Sequence, residues 1–134
     1  MSNLEFCKLA YEGKVDKIID QIKENKNIIS KKDDVNENGR IALHWAASGG
    51  KIEVVNILLQ YNSPLDLGDD VGWTPLMIAS SVGNKDIVYA LLARNADVNH
   101  SNSTGQTPLH YAASKNWEEV ILPLFELTFI LSDD

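Results

Sequence analysis

His44 and His110 are the residues of this 134-residue chain that are most suited to metal binding or catalysis, because imidazole is a common metal ligand and general base. They occupy the same position in two units of a repeating pattern, with one further unit between them. Since helices pack about 8–10 Å apart, we expect roughly 20 Å between the two side chains, whereas zinc requires ligands at about 2 Å. The pair therefore cannot share a metal ion, and we interpret each histidine as a tie between a loop and its helix.

The other reactive side chains do not form a catalytic set. Cys7 is the single cysteine, and it lies among apolar residues at helical spacing, which predicts a buried, inert thiol. The acidic pairs Asp33-Asp34 and Asp69-Asp70 are interpreted as solvated loop charge. Neither a Gly-x-x-x-x-Gly-Lys phosphate loop nor a Gly-x-Gly-x-x-Gly motif occurs. Without a convergent nucleophile, base and orienting group, we predict a protein that is not an enzyme and that uses no metal or cofactor.

Composition and charge restrict the partners. The net charge of −7 and the pI of about 4.8 argue against nucleic acid and against an anionic membrane surface, because both are bound through lysine and arginine. One cysteine excludes an internal disulfide. With no secretory leader and no apolar run of about 20 residues in the sequence, we expect a cytoplasmic and nuclear protein.

A period of 33 residues organises the chain. The motifs Trp-Thr-Pro-Leu-Met and Gln-Thr-Pro-Leu-His recur at this spacing, and a period of 33 with Thr-Pro-Leu-His is typical of ankyrin repeats. Threonine can cap a helix that proline then begins. The framework positions that share this period are Gly39, Gly72 and Gly105; Leu43, Leu76 and Leu109; Ala46, Ala79 and Ala112; and Val54, Ile87 and Val120.

We therefore predict an all-α ankyrin-repeat solenoid of about four repeats in one domain. The predicted boundaries are 1–34 for an N-terminal capping repeat, 35–67 for the second repeat, 68–100 for the third and 101–134 for the fourth. Gly13 is expected to divide the first repeat into two short helices. Asn62 and Asn95 are expected to follow the second helices in the left-handed conformation.

The fourth repeat departs from the pattern in its second half. Pro123 falls within the predicted second helix, where proline costs roughly 3 kcal/mol, so we expect the helix to be damaged there. The segment after it is apolar and leaves Leu127, Phe129, Ile130 and Leu131 with no further repeat on which to pack. An exposed apolar tail carries a risk of self-association, and a non-functional or regulatory fragment is therefore one hypothesis for this form.

Positions that vary between repeats are the best candidates for recognition, because stacking requires the framework to repeat. The equivalent positions at the hairpin tips of successive repeats are Arg40, Trp73 and Gln106. The equivalent variable positions on the first helices are Trp45, Ile78 and Tyr111. Aromatic anchors beside charges of both signs are the composition of a protein-binding hot spot. The full set of candidate protein-binding residues is Glu37, Asn38, Arg40, Trp45, Asp70, Trp73, Ile78, Val82, Tyr111 and Lys115.

Several local motifs also resemble those of the gankyrin family, ankyrin-repeat chaperones that help to assemble the proteasome regulatory particle. They are Leu-Ala-Tyr-Glu-Gly-Lys at 9–14, Ala-Leu-His-Trp-Ala at 42–46, Asp-Asp-Val-Gly-Trp-Thr-Pro-Leu at 69–76 and His-Tyr-Ala-Ala-Ser-Lys-Asn at 110–116. The resemblance covers residues 2–116. It also implies a truncated or alternatively spliced form, without the later repeats and their retinoblastoma-binding motif.

The resemblance implies a partner, the C-terminal helical domain of an ATPase subunit of the proteasome regulatory particle. Arg40 and Lys115 match family positions that pair with glutamates of that domain, and Trp45 and Trp73 match family tryptophans. Met77 stands where the family has histidine, which implies a slightly looser third repeat. The alternative that we consider is a regulator of the cyclin-dependent kinase and retinoblastoma pathway, with a cyclin-dependent kinase as partner.

Overall fold

The computed structural model describes residues 1–33 and 38–131. These residues contain eight α-helices and one 3-10 helix. The α-helices form four antiparallel pairs, as the all-α prediction requires. Their bounds are α1 Asn3–Glu12 and α2 Val15–Glu24; α3 Ala42–Gly49 and α4 Ile52–Gln60; α5 Pro75–Val82 and α6 Lys85–Ala93; α7 Pro108–Ser114 and α8 Glu118–Leu131. The 3-10 helix, Lys26–Ser30, follows α2.

The helices stack in two layers. The first helices of the pairs, α1, α3, α5 and α7, contact one another in sequence order, and the second helices, α2, α4, α6 and α8, do the same. Small side chains allow the close approach of the first layer, since Ala46, Ala79 and Ala112 are completely buried. The loops that join successive pairs therefore lie side by side along one edge of the stack.

Apolar side chains at helical spacing fill the space between the layers. Val54, Val55 and Leu58 of α4 are fully buried, and Ile87, Val88 and Leu91 repeat the same pattern on α6. Each such side chain contributes about 1.5–3 kcal/mol by leaving water. Within the described residues no helix is both long and apolar enough to cross a membrane.

Helix ends mostly follow the sequence signals. The Thr74 side chain accepts a hydrogen bond from the Met77 amide, and Gly13, Asn62 and Asn95 adopt positive φ angles at helix ends as predicted. Thr107 differs from Thr74, because both its amide and its hydroxyl lie 2.9 Å from Nδ1 of His110.

The prediction of a helix damaged at Pro123 is wrong. Helix α8 runs through Pro123 and is the longest helix described. It also continues past Thr128, whose counterparts Asn62 and Asn95 sit in left-handed turns just after α4 and α6 have ended. Threonine is β-branched and disfavours that conformation, whereas asparagine tolerates it. Helix α8 therefore extends beyond the length of its counterparts, with Leu127 packed against the core and Phe129 and Ile130 exposed.

Candidate protein-binding surface

Three buried polar side chains organise the hairpin loops that precede the first helices. Asp69 accepts hydrogen bonds from the amides of Val71 and Trp73, and Asn102 accepts from the amides of Thr104 and Gln106. Asp33 accepts corresponding hydrogen bonds from amides six and seven residues later in the chain. Each side chain fixes the curvature of its loop and so the direction of the residue at the tip.

The interpretation of Asp33 and Asp69 as solvated loop charge is therefore wrong. As whole residues both aspartates are only 7% exposed, and Asp33 accepts from the amides of Gly39 and Arg40. Carboxylates that accept several amide hydrogen bonds can be buried, because the bonds replace lost hydration. Asp70, the second member of its pair, is exposed as expected, and Asp34 lies outside the described residues.

Arg40 joins two successive hairpins. Its Nε donates to Oδ2 of Asp69 at 2.9 Å. The Arg40 side chain is 25% exposed, and the Asp69 side chain is 1% exposed. The Nη nitrogens of Arg40 make no hydrogen bond within the described residues. The bond from Nε to Asp69 restrains the guanidinium group at the junction of the two hairpins.

The aromatic candidates are anchored by neighbouring repeats. The indole nitrogen of Trp45 donates to Oδ2 of Asp33 at 2.9 Å, and its ring meets the edge of Tyr11 at a centroid distance of 6.2 Å. Trp73 packs against Tyr111 at 4.3 Å. Trp73 therefore has a structural contact that the loop-tip position did not reveal, and Tyr11 is a member of this cluster that sequence reasoning missed.

His44 performs the tying role predicted for it. Its Nδ1 accepts from the Ile41 amide, and Nε2 donates to the Trp73 carbonyl at 2.8 Å, so the neutral Nε2–H tautomer satisfies both bonds. Burial lowers the pKa of His44 to about 4, although the bond to Trp73 and the charge of Asp69 oppose that change. The imidazole therefore links the second repeat to the hairpin of the third.

At the equivalent positions of the other helix pairs the link is weaker, or is not made within the described residues. Cys7 is buried, as predicted, with its Sγ 3.9 Å from the Arg40 carbonyl. Met77 is buried but cannot donate such a bond, and Nε2 of His110 makes none to the part of the chain that is described. No group of three potential metal ligands occurs among the described residues.

The remaining candidates lie at different depths. Asn38, Asp70, Val82 and Lys115 are exposed, and the Asp70 amide donates to the Asn38 carbonyl between adjacent hairpins. Ile78 is only 5% exposed, so it can support the surface but offers little area to a partner. Glu37 lies outside the described residues. We use the term hairpin surface for Asn38, Arg40, Trp45, Asp70, Trp73, Tyr111 and Lys115.

Comparison with known proteins agrees with this architecture. The family model described as "Ankyrin repeats (3 copies)" matches residues 6–102 and 66–130. The chain belongs to the ankyrin-repeat family. The predicted fold class is thereby confirmed, and the stacked helix pairs with intervening hairpins are the repeats of an ankyrin solenoid.

Known relatives of this ankyrin-repeat chain confirm the resemblance to gankyrin. It is 47% identical to the 26S proteasome non-ATPase regulatory subunit 10 of Rattus norvegicus and of Homo sapiens over 75 residues, or 56% of this chain. That match spans 31% and 32% of the two relatives. Protein phosphatase 1 regulatory subunit 27 of Mus musculus is 40% identical over 47 residues, 35% of this chain and 30% of that protein. The chain thus spans about a third of the relatives' length.

Proposed function

We propose that this chain is a non-catalytic adaptor that binds the C-terminal helical domain of a proteasome regulatory-particle ATPase subunit and assists its assembly. The observation that carries the proposal is the Arg40 guanidinium that Asp69 holds, on the same hairpin surface as the anchored rings of Trp45 and Trp73. The similarity to 26S proteasome non-ATPase regulatory subunit 10 supports the choice of partner.

The hairpin surface suits a partner that presents carboxylates. Asp69 orients Arg40 before binding, so little side-chain entropy is lost when its Nη nitrogens meet an acceptor. Asp69 also offsets part of the arginine charge, whereas Lys115 is exposed and has no ion pair among the described residues. We therefore expect Arg40 to provide directed hydrogen bonds and Lys115 to provide most of the electrostatic attraction.

Calorimetric titration with the isolated C-terminal domain of the ATPase tests this proposal. We expect one-to-one binding, weakened at least tenfold by the double variant Arg40→Gln and Lys115→Glu, because charge-assisted contacts contribute about 1.5–3 kcal/mol each. Glutamine at 40 keeps a donor for Asp69 and so protects the fold. Lys115→Glu alone, which leaves the hairpins unchanged, is the second variant.

The matched control is Lys17→Glu with Lys23→Glu, since both lysines are exposed on α2 and lie outside the hairpin surface. This variant changes the net charge at least as much but should leave the affinity within about twofold. Equal loss in both double variants would mean that only overall charge matters, and the hairpin surface would be rejected. Binding of a cyclin-dependent kinase instead of the ATPase domain would favour the alternative pathway.

A further inference from the structure

Helix α8 presents an apolar face to solvent. Leu122 is 59% exposed, Phe125 53% and Ile130 69%, and Phe129 lies against Phe125 with nearly parallel rings at a centroid distance of 6.4 Å. The spacing of these residues places them on one side of the helix. We call them the α8 patch, and they lie opposite the side that Val120 and Leu124 bury against the core.

The exposure of Phe125, Phe129 and Ile130 distinguishes α8 from α4. Two repeats earlier, the position of Phe125 is held by Leu59, which is only 4% exposed. The positions of Phe129 and Ile130 correspond to residues beyond the ends of α4 and α6, so the longer α8 carries these side chains on an additional turn. Within the described residues Phe125, Phe129 and Ile130 are therefore left uncovered, whereas Leu59 at the position of Phe125 is buried.

Carboxylates accompany the α8 patch. Glu118 and Glu126 are each one helical turn from Leu122, and Glu126 is also one turn from Ile130. Neither glutamate has an ion pair within the described residues, while Glu119 binds Lys85 at 3.1 Å. Helix α8 contains no lysine or arginine, so the face combines apolar area with uncompensated negative charge.

We propose that the α8 patch docks a basic amphipathic helix of a partner protein, separately from the hairpin surface. Apolar residues of the partner would cover Leu122, Phe125 and Ile130, and its lysines or arginines would pair with Glu118 and Glu126. A second copy of this chain fits less well, because two α8 faces would bring their glutamates together and each chain already carries a net charge of −7.

Fluorescence anisotropy with designed peptides tests the proposal on the full chain. The probe is a labelled 18-residue helix of leucine and lysine with one apolar face. A scrambled peptide of the same composition and a leucine–glutamate counterpart are the reference peptides. We expect the leucine–lysine helix to bind at least tenfold more tightly than either reference, because only it offers both apolar periodicity and positive charge.

Two variants separate the contributions within α8. Leu122→Ser with Phe125→Ser removes apolar area, and Glu118→Gln with Glu126→Gln removes charge; each should weaken binding of the probe at least fivefold. The matched control is Tyr89→Ser with Asp86→Asn, which changes the equivalent exposed face of α6 and should leave the affinity unchanged. Circular dichroism of each variant verifies that the helices remain folded.

Three results would overturn the proposal. The scrambled peptide could bind as well as the amphipathic one, which would indicate general attraction to an acidic protein. The α6 control could lose as much affinity as the α8 variants. Light scattering could also show dimers that Phe125→Ser abolishes, and a second copy would then be the occupant of the α8 patch.

Discussion

The buried imidazole of His44 makes the stability of the fold depend on pH. Its pKa is about 4 in the folded state, mainly because burial disfavours the charged form, and the ordinary value is 6.5. Between these values the unfolded chain holds a proton that the folded chain does not, so protonation favours unfolding. We expect the contribution of His44 to be complete above pH 7 and to fall by about 2 kcal/mol at pH 5.

Urea unfolding of the chain and of His44→Gln, each at pH 7.5 and pH 5, measures this effect. The variant should be less stable at pH 7.5 but should lose less stability on acidification than the unsubstituted chain. His110→Gln is the control, because His110 occupies the same position in a later repeat but is exposed. If His44→Gln and the unsubstituted chain show the same pH dependence, His44 is not the group responsible.

Single residues also show where sequence reasoning reached its limit. His44 could be assigned a structural role because its position recurs, and repetition is visible in a sequence. The burial of Asp33 and Asp69 could not be predicted, because each carboxylate is satisfied by amides whose direction depends on the folded hairpin. Trp73 was selected for its position at a loop tip, but its contact with Tyr111 comes from the next repeat.

At the scale of elements, α8 shows that packing can outweigh propensity. Pro123 leaves the Glu119 carbonyl without its usual helical donor, yet Val120 and Leu124 on either side are buried. We expect Pro123→Ala to raise the free energy of unfolding by about 1–3 kcal/mol, because alanine restores the missing donor. Thermal denaturation followed by circular dichroism measures the change.

Leu122→Ala is the comparison, since it leaves Pro123 in place and removes an exposed side chain of the same helix. That substitution should change stability by less than about 0.5 kcal/mol. A Pro123→Ala variant that is no more stable than the original chain would show that the helix already compensates for the lost bond. The sequence predicted most of the other helix ends, because threonine, glycine and asparagine act locally on the backbone.

At the scale of the whole molecule, successive hairpins are joined by a regular series of contacts. The Asp70 amide donates to Asn38, and one repeat later the Ser103 amide donates to Val71, at 2.9 and 3.0 Å. The 33-residue period predicted that the repeats stack, because each framework position recurs. It did not predict how the hairpins join, since their bonds use backbone atoms that every residue type possesses.

Gly72 and Gly105 allow the contribution of this junction to be isolated. Both adopt positive φ angles, 83° and 77°, so alanine at either position incurs similar strain of about 1–2 kcal/mol. A Cβ atom at Gly72 would lie 3.0 Å from Cα of Asn102 in the next hairpin, whereas at Gly105 it would meet no atom within 4 Å. Gly72→Ala should therefore be more destabilising than Gly105→Ala by at least about 1 kcal/mol, because backbone at the junction must move.

Urea unfolding followed by tryptophan fluorescence measures both values. Equal losses would mean that the hairpins can separate without cost, and that the helices alone hold the repeats together.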